Sequence, residues 1–320
     1  MNNCTCNRLK EFFISGFATF PNGQILIFII LLLMYLLTVI GNVTIIILVC
    51  VASHLHTPMY FFLCNLSSAD IAYVTVTLPK LLSIFLTKDH NITFSGCITQ
   101  LYFFLLCGQA DIFILTCMAY DRYVAICKPL QYSLIMNKGV CIAMSAFSWL
   151  TGILNSLLHT LIASSLPFCH SNIIDHFFCD LKALSMLSAS DSTNRDILTT
   201  VESVFIGCVP FMLIVVSYVY IISTILKIQS SNGRLKAFSS CTSHLTTVIL
   251  FYGPIIFLYM KPENDSSREG DKVLSILYVA VVPMLNPLVY SLRNKDVLGA
   301  TAKLKQYFKK SIGAYTEKSW

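Results

Sequence analysis

Seven long apolar stretches restrict the fold of this chain more than any other feature of its sequence. A bilayer span needs about 20 mostly apolar residues. Stretches of that kind lie at 24–51, 58–80, 98–120, 140–163, 197–226, 237–260 and 273–292. Because lipid offers no partner to backbone N–H and C=O groups, spanning segments of this type must be helices. The sequence therefore predicts an all-α membrane protein, a bundle of seven transmembrane helices.

The composition supports this assignment, because only 12% of the residues are charged, against about 25% in soluble domains. No internal repeat or low-complexity segment suggests a second domain. We therefore expect a single seven-transmembrane domain over 1–320, with a tail at 1–23, the bundle at 24–292 and a second tail at 293–320. The first tail lacks the apolar region and cleavage site of a signal peptide, so we expect the first span to act as an uncleaved signal anchor.

Basic residues predict the orientation of the bundle, since lysine and arginine favour the cytoplasmic side. With the N-terminus outside, the inner segments carry thirteen basic and three acidic side chains, and the outer segments carry nine and ten. This asymmetry predicts an extracellular N-terminus and a cytoplasmic C-terminus. The net charge of +6 therefore indicates membrane orientation rather than nucleic-acid binding.

The segment 296–310 differs from the spans. Its apolar side chains recur at helical spacing among four lysines, which are Lys303, Lys305, Lys309 and Lys310. That pattern favours a short amphipathic helix on the inner leaflet, held by apolar burial and anionic lipid. The alternative is a solvated basic tail.

Ionisable side chains inside membrane spans are costly and often functional. Asp70 and Asp111 both fall near mid-span, with Asn42 and Asn286 at similar depth. Two facing carboxylates cannot both ionise cheaply, so one must hold a proton or a cation must lie between them. The four residues are a candidate sodium or proton site, or else a hydrogen-bonded polar cluster that joins helices. Glu202 lies nearer the outer side, where it could contact a ligand or a neighbouring helix.

The stretch HFFCD contains His176, Cys179 and Asp180, which could form a small metal or thiol site. An exported loop is in an oxidising compartment, where cysteines usually pair. Cys97 begins the third span from the outside, so we favour a disulfide between Cys97 and Cys179 over a metal site.

Three N-x-[S/T] sequons lie in predicted outer segments. Asn3 is on a free tail and Asn91 is in a loop, so both are expected to accept a glycan. Asn264 is a weaker candidate because its loop is short and near the membrane.

The sequence contains no Gly-rich phosphate loop, H-E-x-x-H or G-x-S-x-G motif, and its inner loops are too short for a catalytic domain. We therefore do not expect an enzyme. A transporter or channel is an alternative, because three carboxylates lie inside spans. The odd number of spans and the lack of a paired repeat argue against it.

Several motifs occur in order, about one set per span. They are GN at 41–42, LHTPMYFFLCNLS at 55–67, MAYDRYVAIC at 118–127, SY at 217–218, KAFSSCTSHL at 236–245 and PMLNPLVYSLRN at 283–294. The chain resembles the odorant (olfactory) receptors of the rhodopsin-like G-protein-coupled class, tetrapod-type group. The alternative within that class, a receptor for a non-odorant ligand such as a peptide or an amine, is disfavoured by KAFSSCTSHL and Tyr252. The resemblance implies a plasma-membrane receptor of olfactory neuron cilia, with a small odorant and a stimulatory olfactory G protein as partners. It implies no cofactor apart from a candidate allosteric sodium ion.

The resemblance assigns a G-protein switch to the inner ends of the spans. Asp121 and Arg122 would pair at rest, and on activation Arg122 would turn toward the G protein with support from Tyr218 and Tyr290. Pro287 would kink span seven near that movement. The complete set is Asp121, Arg122, Tyr123, Tyr218, Lys236, His244, Asn286, Pro287 and Tyr290.

The resemblance also implies an odorant cradle in the outer half of the bundle. Its residues would be Phe104, Leu105, Gly108, Gln109 and Ile112 on span three; Glu202, Ser203 and Ile206 on span five; Tyr252, Ile255, Ile256 and Tyr259 on span six; and Tyr278 and Val279 on span seven. The set is mostly apolar with a few polar groups, which suits small hydrophobic ligands. One departure is Ala189, where the family usually has a cysteine, so Cys169 lacks its expected partner.

Overall fold

The computed structural model describes residues 10–17, 23–168, 171–188, 201–260 and 268–292, together with 297 and 299. Within these ranges seven helices are long and apolar enough to cross a membrane, which confirms the predicted bundle. They are α1 (Gln24–Val51), α2 (Pro58–Thr87), α3 (Phe94–Cys127), α4 (Lys138–Ser164), α5 (π-helical Ser203–Cys208, then Val209–Leu226), α6 (Ser231–Met260) and α7 (Arg268–Ile276, π-helical Leu277–Val281, then Val282–Leu292).

Two helices are longer than their apolar stretches. Helix α2 continues to Thr87, and α3 runs from Phe94 to Cys127. The start of α3 is fixed by Thr93, whose side chain accepts a hydrogen bond from the Gly96 amide 3.1 Å away. Hydropathy marks only the part of a helix that crosses lipid, whereas backbone hydrogen bonding continues through polar residues until a cap or turn ends it.

Helix α3 forms the centre of the bundle and packs against α2, α4 and α5. Its approach to α4 is closest at Gly152, where an added Cβ would lie 2.9 Å from the carbonyl oxygen of Leu106. Small residues allow membrane helices to approach closely in this way. Large apolar side chains on α1, α4 and α5 are instead exposed, as expected of surfaces that contact lipid.

We expect Gly152→Ala to lower the free energy of unfolding by about 1–3 kcal/mol, because the new methyl group meets a backbone oxygen that cannot move alone. Thermal unfolding of the detergent-solubilised protein measures the change. Gly253→Ala on α6 is the matched control, since an added Cβ there meets nothing within 4 Å. Equal stability of both variants and the wild type would contradict the close α3–α4 packing.

A three-stranded sheet covers one end of the bundle, and the all-α prediction did not include it. Strands β1 (Glu11–Ile14), β2 (Asn91–Thr93) and β3 (Ile173–Ile174) lie in the order β2-β1-β3. β1 pairs antiparallel with β2 and parallel with β3. We call this the sheet end of the bundle and the opposite one the Arg122 end.

The alternation of side chains along β1 explains its position. Phe12 and Ile14 are fully buried, whereas Glu11 and Phe13 point outward. The ring of Phe12 contacts the edge of Phe168 at a centroid distance of 5.1 Å. Such a short strand is stable only because it is paired on both sides and packs on an apolar cluster.

Candidate functional site

The predicted cradle residues lie on the sheet-end halves of α3, α5, α6 and α7. Phe104, Tyr252 and Val279 are buried. Leu105, Gly108, Gln109, Ile112, Glu202, Ile206, Ile255, Ile256 and Tyr278 are partly buried. The side chains of Ser203 and Tyr259 lie outside the described part of the chain. The other predicted residues are therefore at least partly covered by the rest of the protein.

An aromatic cluster closes the cradle toward the sheet end. The ring of Phe104 stacks on Tyr73 of α2 at 5.1 Å and contacts Phe178 of the loop between α4 and α5 at 4.6 Å. Phe178 in turn contacts Phe177 at 4.9 Å, and Phe177 stacks on Phe17 of the N-terminal segment. The cradle thus has an aromatic wall made from four separate parts of the sequence.

Two π-helical turns interrupt α5 and α7 beside the cradle. One spans Ser203–Cys208 and includes Ile206, and the other spans Leu277–Val281 and includes Tyr278 and Val279. Such turns rotate the following helix face and are frequent at functional sites. They supply local geometry that no periodicity in the sequence indicated.

Among the described residues, several buried polar atoms in or beside the cradle have no hydrogen-bond partner. They include Oε1 of Gln109 on α3 and the hydroxyl oxygen of Tyr252 on α6. The Tyr252 ring is held against Phe211 at a centroid distance of 4.9 Å. Buried polar groups are nearly always satisfied in proteins, so these two are candidates to contact a ligand.

Glu202 contacts another helix rather than standing alone. Its Oε2 is hydrogen-bonded to Nε2 of His159 on α4, and His159 is only 5% exposed. From the sequence, a ligand and a neighbouring helix were the alternatives for Glu202, and the structure places a helix neighbour there. His159 was not among the sequence-based candidates, although a histidine inside a membrane span is itself a signal for function or pairing.

The mid-span polar residues come together from four helices. Asp70 Oδ2 of α2 accepts a hydrogen bond of 2.9 Å from Asn286 Nδ2 of α7. Asn42 Nδ2 of α1 donates to the Pro283 carbonyl of α7 at 3.1 Å. Asp111 of α3 is close enough to Asp70 for the two carboxylates to repel each other.

Three oxygens of this cluster lack a donor among the described residues: Asn42 Oδ1, Asp111 Oδ1 and Asn286 Oδ1. Carboxylate and amide oxygens are the ligands that hard cations prefer, and a shared proton would also remove the repulsion. The donor set therefore fits a small cation or a proton, and the hydrogen bonds also support the alternative of a polar cluster joining helices.

At the Arg122 end, Arg122 and Asp121 form an ion pair in which Nε of Arg122 donates to Oδ2 of Asp121 at 2.9 Å. The hydroxyl of Tyr132, in the segment between α3 and α4, donates to Oδ1 of Asp121 at 2.7 Å. Burial and the adjacent Asp121 carboxylate both raise the pKa of Tyr132, so its hydroxyl stays a donor. Nη1 of Arg122 donates to Oγ of Ser240 on α6 at 3.0 Å.

This geometry corrects one expectation. The apolar run ends at 120, which suggested that the pair lies at the end of the helix, but α3 continues to Cys127 and Asp121 is fully buried. A buried carboxylate must be hydrogen-bonded, and Tyr132 and Arg122 meet that requirement. The sequence analysis missed Tyr132 because its partner is on another segment.

The other predicted switch residues are distributed around the same end. The Tyr218 hydroxyl lies 2.7 Å from Nδ1 of His244, whose Nε2 lies 3.0 Å from the Leu115 carbonyl oxygen. Asn286 and Tyr290 are buried on α7, Tyr123 is partly buried and Lys236 is exposed. Pro287 packs close to Gly41 of α1, where an added Cβ would lie 3.1 Å from its ring.

A disulfide joins Cys97 at the start of α3 to Cys179, which confirms the predicted pairing and removes that thiol from any metal site. The backbone amide of Cys179 donates to Gln100 Oε1 at 2.9 Å. Nearby, Lys272 of α7 forms a 2.9 Å ion pair with Asp175 and donates to the Gly16 carbonyl at 3.1 Å. The loop, α7 and the N-terminal segment are thereby connected.

His176 gives this region an expected acid sensitivity. Burial lowers its pKa below the ordinary 6.5, and neighbouring Lys272 lowers it further against the opposing effect of Asp180, Asp175 and Asp271. The unfolded chain therefore takes up the proton first as the pH falls through about 6.5. We expect the free energy of unfolding to fall by up to about 1 kcal/mol between about pH 7.5 and pH 5.5.

Thermal unfolding over that pH range checks this expectation. His176→Gln should remove that part of the acid loss, and His56→Gln, in the short α1–α2 connection, is the control. An unchanged pH profile in His176→Gln would contradict the assignment.

Asn91 is exposed on β2, as a glycan acceptor requires. The remaining sequence-based expectations fall outside the described residues: the sequons at Asn3 and Asn264, Cys169 with Ala189, and the surface helix at 296–310, of which only 297 and 299 are described.

The sequence is similar to known proteins over most of its length. A sequence profile described as olfactory receptor matches residues 31–307. Olfactory receptor 1E16 of Mus musculus is 47% identical over 297 residues, covering 92% of this chain and 94% of that protein. Olfactory receptor 13C9 of Homo sapiens is 45% identical over 310 residues, covering 94% and 98%. Olfactory receptor 1 of Rattus norvegicus is 46% identical over 297 residues, covering 92% and 94%.

Proposed function

This chain belongs to the olfactory receptor family, which consists of receptors and not enzymes, and from that premise we propose how it works. It binds a small, mostly hydrophobic odorant in the cradle and activates a stimulatory heterotrimeric G protein, which raises cyclic AMP. The chain acts as one receptor domain over 1–320, and the cradle residues named above bind the ligand.

One observation carries this proposal: the otherwise apolar cradle contains buried polar atoms that lack a hydrogen-bond partner among the described residues. Gln109 Oε1 and the Tyr252 hydroxyl lie among partly buried apolar side chains such as Ile112 and Ile255. Ligand sites are typically apolar with a few polar groups that fix orientation. An odorant with one polar group would satisfy such an atom and bury its hydrocarbon part.

Signalling follows from a population shift between two states of the Arg122 end. In the described state Arg122 holds both Asp121 of α3 and Ser240 of α6. An odorant activates only to the extent that it binds better to the state in which α6 has moved away. Arg122 then becomes available to the G protein, while Tyr218 and Tyr290 support its new position.

The charge distribution supports an orientation with the sheet end extracellular and the Arg122 end cytoplasmic. In that orientation Asn3 and Asn91 are accessible to glycosylation, and the basic segment 296–310 lies on the inner leaflet lipid. Family membership supports the plasma membrane of olfactory neuron cilia as the location.

Cyclic AMP assays test the proposed function. We expect cells that express the receptor with the olfactory G protein to respond to members of an odorant panel, and Arg122→Ala to lose the response at equal surface expression. Lys138→Ala, at the start of α4, is the matched control for removal of a basic side chain near this end. A surface-exposed receptor that ignores the panel, or a normal response from Arg122→Ala, would contradict the proposal.

We also propose that the mid-span cluster of Asn42, Asp70, Asp111 and Asn286 holds a sodium ion or a shared proton. Asp111→Asn removes the repulsion with Asp70 and one oxygen ligand. We expect this variant to lose the dependence of thermal stability on sodium, if the occupant is sodium, or on pH, if it is a proton. Asp70→Asn should act similarly.

Thermal unfolding in sodium chloride, in choline chloride and across pH measures the difference without any ligand. Thr77→Val, a buried α2 residue whose hydroxyl bonds within its own helix, is the control. If both Asp variants show the same salt and pH profiles as the wild type, the four residues hold no sodium ion or shared proton. They would then serve only as a hydrogen-bonded cluster that joins helices.

A further inference from the structure

The contacts of α4 show which of its side chains face which helix. Ser145 Oγ and Trp149 Nε1 donate to Asn65 Oδ1 of α2 at 2.8 and 3.0 Å. Gly152 lies against the backbone of α3 at Leu106. At about 100° per residue, His159 points in nearly the same direction as Gly152. Its side chain is hydrogen-bonded to Glu202 at the start of α5. The order around α4 is therefore α2, α3, α5.

The same spacing places Asn155 on the α5 side. Asn155 lies one turn before His159 on α4. Around the helix axis, Asn155 and Trp149 lie on opposite sides of Gly152, and Trp149 is on the side that faces α2. Asn155 Nδ2 is buried and has no hydrogen-bond partner among the described residues. This side chain was not among the sequence-based candidates.

The contacts of α3 place Gln109 in the same region. The ring of Tyr123 lies 5.9 Å from Tyr220 of α5, and Cys127 Sγ lies 3.2 Å from Thr224 Oγ1 of α5. Gln109 precedes Tyr123 by two heptads, so it lies on the same face of α3 and points toward α5.

Helical spacing thus turns Gln109 and Asn155 toward the region between α3, α4 and α5 that also holds the His159–Glu202 pair, and we call this region the α3–α4–α5 cleft. The His159–Glu202 pair lies at its sheet end, and the π-helical turn Ser203–Cys208 borders it on α5. Gln109 is level with Gly152, and Asn155 is one turn nearer the sheet end, a rise of about 4.5 Å.

Two polar atoms in the cleft lack hydrogen-bond partners among the described residues, and one is an acceptor while the other is a donor. Gln109 Oε1 is an acceptor without a donor, and Asn155 Nδ2 is a donor without an acceptor. They do not hydrogen-bond to each other. A single hydroxyl group between them would match both atoms, because it donates its hydrogen and accepts at its oxygen.

We propose that the α3–α4–α5 cleft binds the head group of the odorant and that this head group is a hydroxyl, as in an alcohol or a phenol. The O–H donates to Gln109 Oε1, and the oxygen accepts from Asn155 Nδ2. The His159–Glu202 pair positions the sheet end of the cleft. The inference rests on the proposed function, and it names the ligand class and adds Asn155 as a specificity-determining residue.

Matched probes separate the two contacts. The panel contains primary alcohols and phenols, each with its methyl ether and its parent hydrocarbon, and the readout is the half-maximal concentration for cyclic AMP at measured surface expression. An ether oxygen can accept from Asn155 but cannot donate to Gln109. We expect the alcohol or phenol to be about tenfold more potent than its ether on the wild type, since a lost hydrogen bond costs about that factor.

Two shape-conserving variants then give different patterns. Gln109→Met should raise the half-maximal concentration of the alcohol about tenfold and leave the ether unchanged. Asn155→Leu should raise both, because both ligands use their oxygen there. Thr151→Val is the matched control on α4, since its hydroxyl bonds to its own helix at the Phe147 carbonyl, and it should change neither.

Other patterns overturn the inference. Equal shifts of alcohol and ether in Gln109→Met, or ethers as potent as alcohols on the wild type, would exclude a hydroxyl bridge. A wild-type receptor that responds to esters or hydrocarbons but to no alcohol or phenol would overturn the inference and leave the proposed function intact. A receptor at the surface that responds to no odorant would overturn both.

Discussion

Cys97→Ser is expected to remove most of the receptor from the cell surface and to lower the thermal midpoint of the remainder. The disulfide closes a loop between residues separated by 82 positions. For a loop of that size, chain-entropy arguments give about 4–5 kcal/mol of stabilisation. Because whole domains are stable by only about 5–15 kcal/mol, that loss is a large part of the total.

The surroundings of the bond add to the effect. Gln100 accepts from the Cys179 amide and donates to the Val76 carbonyl of α2 at 2.9 Å. The disulfide therefore also aligns hydrogen bonds between the loop, α3 and α2. Phe178, which contacts Phe104, is adjacent to the bonded cysteine, so release of the loop opens the aromatic wall of the cradle.

Surface staining of a tagged receptor and thermal unfolding in detergent measure both effects. Cys208→Ser is the matched control, because Cys208 is an exposed free cysteine. The double variant Cys97→Ser/Cys179→Ser should be no less stable than the single one, since it also removes the thiol that Cys97→Ser leaves unpaired at Cys179. Wild-type surface levels and midpoint in Cys97→Ser would show that the bond contributes little.

Hydropathy was enough to predict the bundle because each span forms its hydrogen bonds within its own sequence. The disulfide could also be predicted, since the predicted orientation placed Cys97 and Cys179 in one oxidising compartment. The ends of the helices were harder to predict from the sequence. The apolar run ends just before Asp121, yet α3 continues to Cys127, and Tyr132 and Arg122 satisfy the buried Asp121 carboxylate.

The parts that sequence reasoning missed depend on contacts between distant segments. Strand β1 exists because Asn91–Thr93 and Ile173–Ile174 pair with it from both sides. His159 becomes part of the candidate site only when Glu202 is placed against it. The π-helical turns were likewise not predicted, although each ends two residues before a proline, Pro210 in α5 and Pro283 in α7, which lacks a backbone N–H.

Asp121→Asn is expected to raise basal cyclic AMP signalling, because it removes the charge that holds Arg122 in the described state. Hydrogen bonds to charged groups contribute about 1.5–3 kcal/mol. Since about 1.4 kcal/mol is a factor of ten, the ratio of active to resting receptor should rise roughly ten- to hundredfold. The amide keeps the shape of the buried side chain, so Tyr132 can still donate to its oxygen.

Ser240→Ala tests the contact that Arg122 makes with α6 and leaves the buried Asp121–Arg122 pair unaltered. It removes only the 3.0 Å bond from Arg122, so basal signalling should rise about threefold to tenfold. Thr242→Val is the matched control on α6, because that exposed hydroxyl bonds to the Phe238 carbonyl of its own helix at 2.8 Å. Basal activity equal to the wild type in both Asp121→Asn and Ser240→Ala would mean that the contacts of Arg122 do not set the resting state.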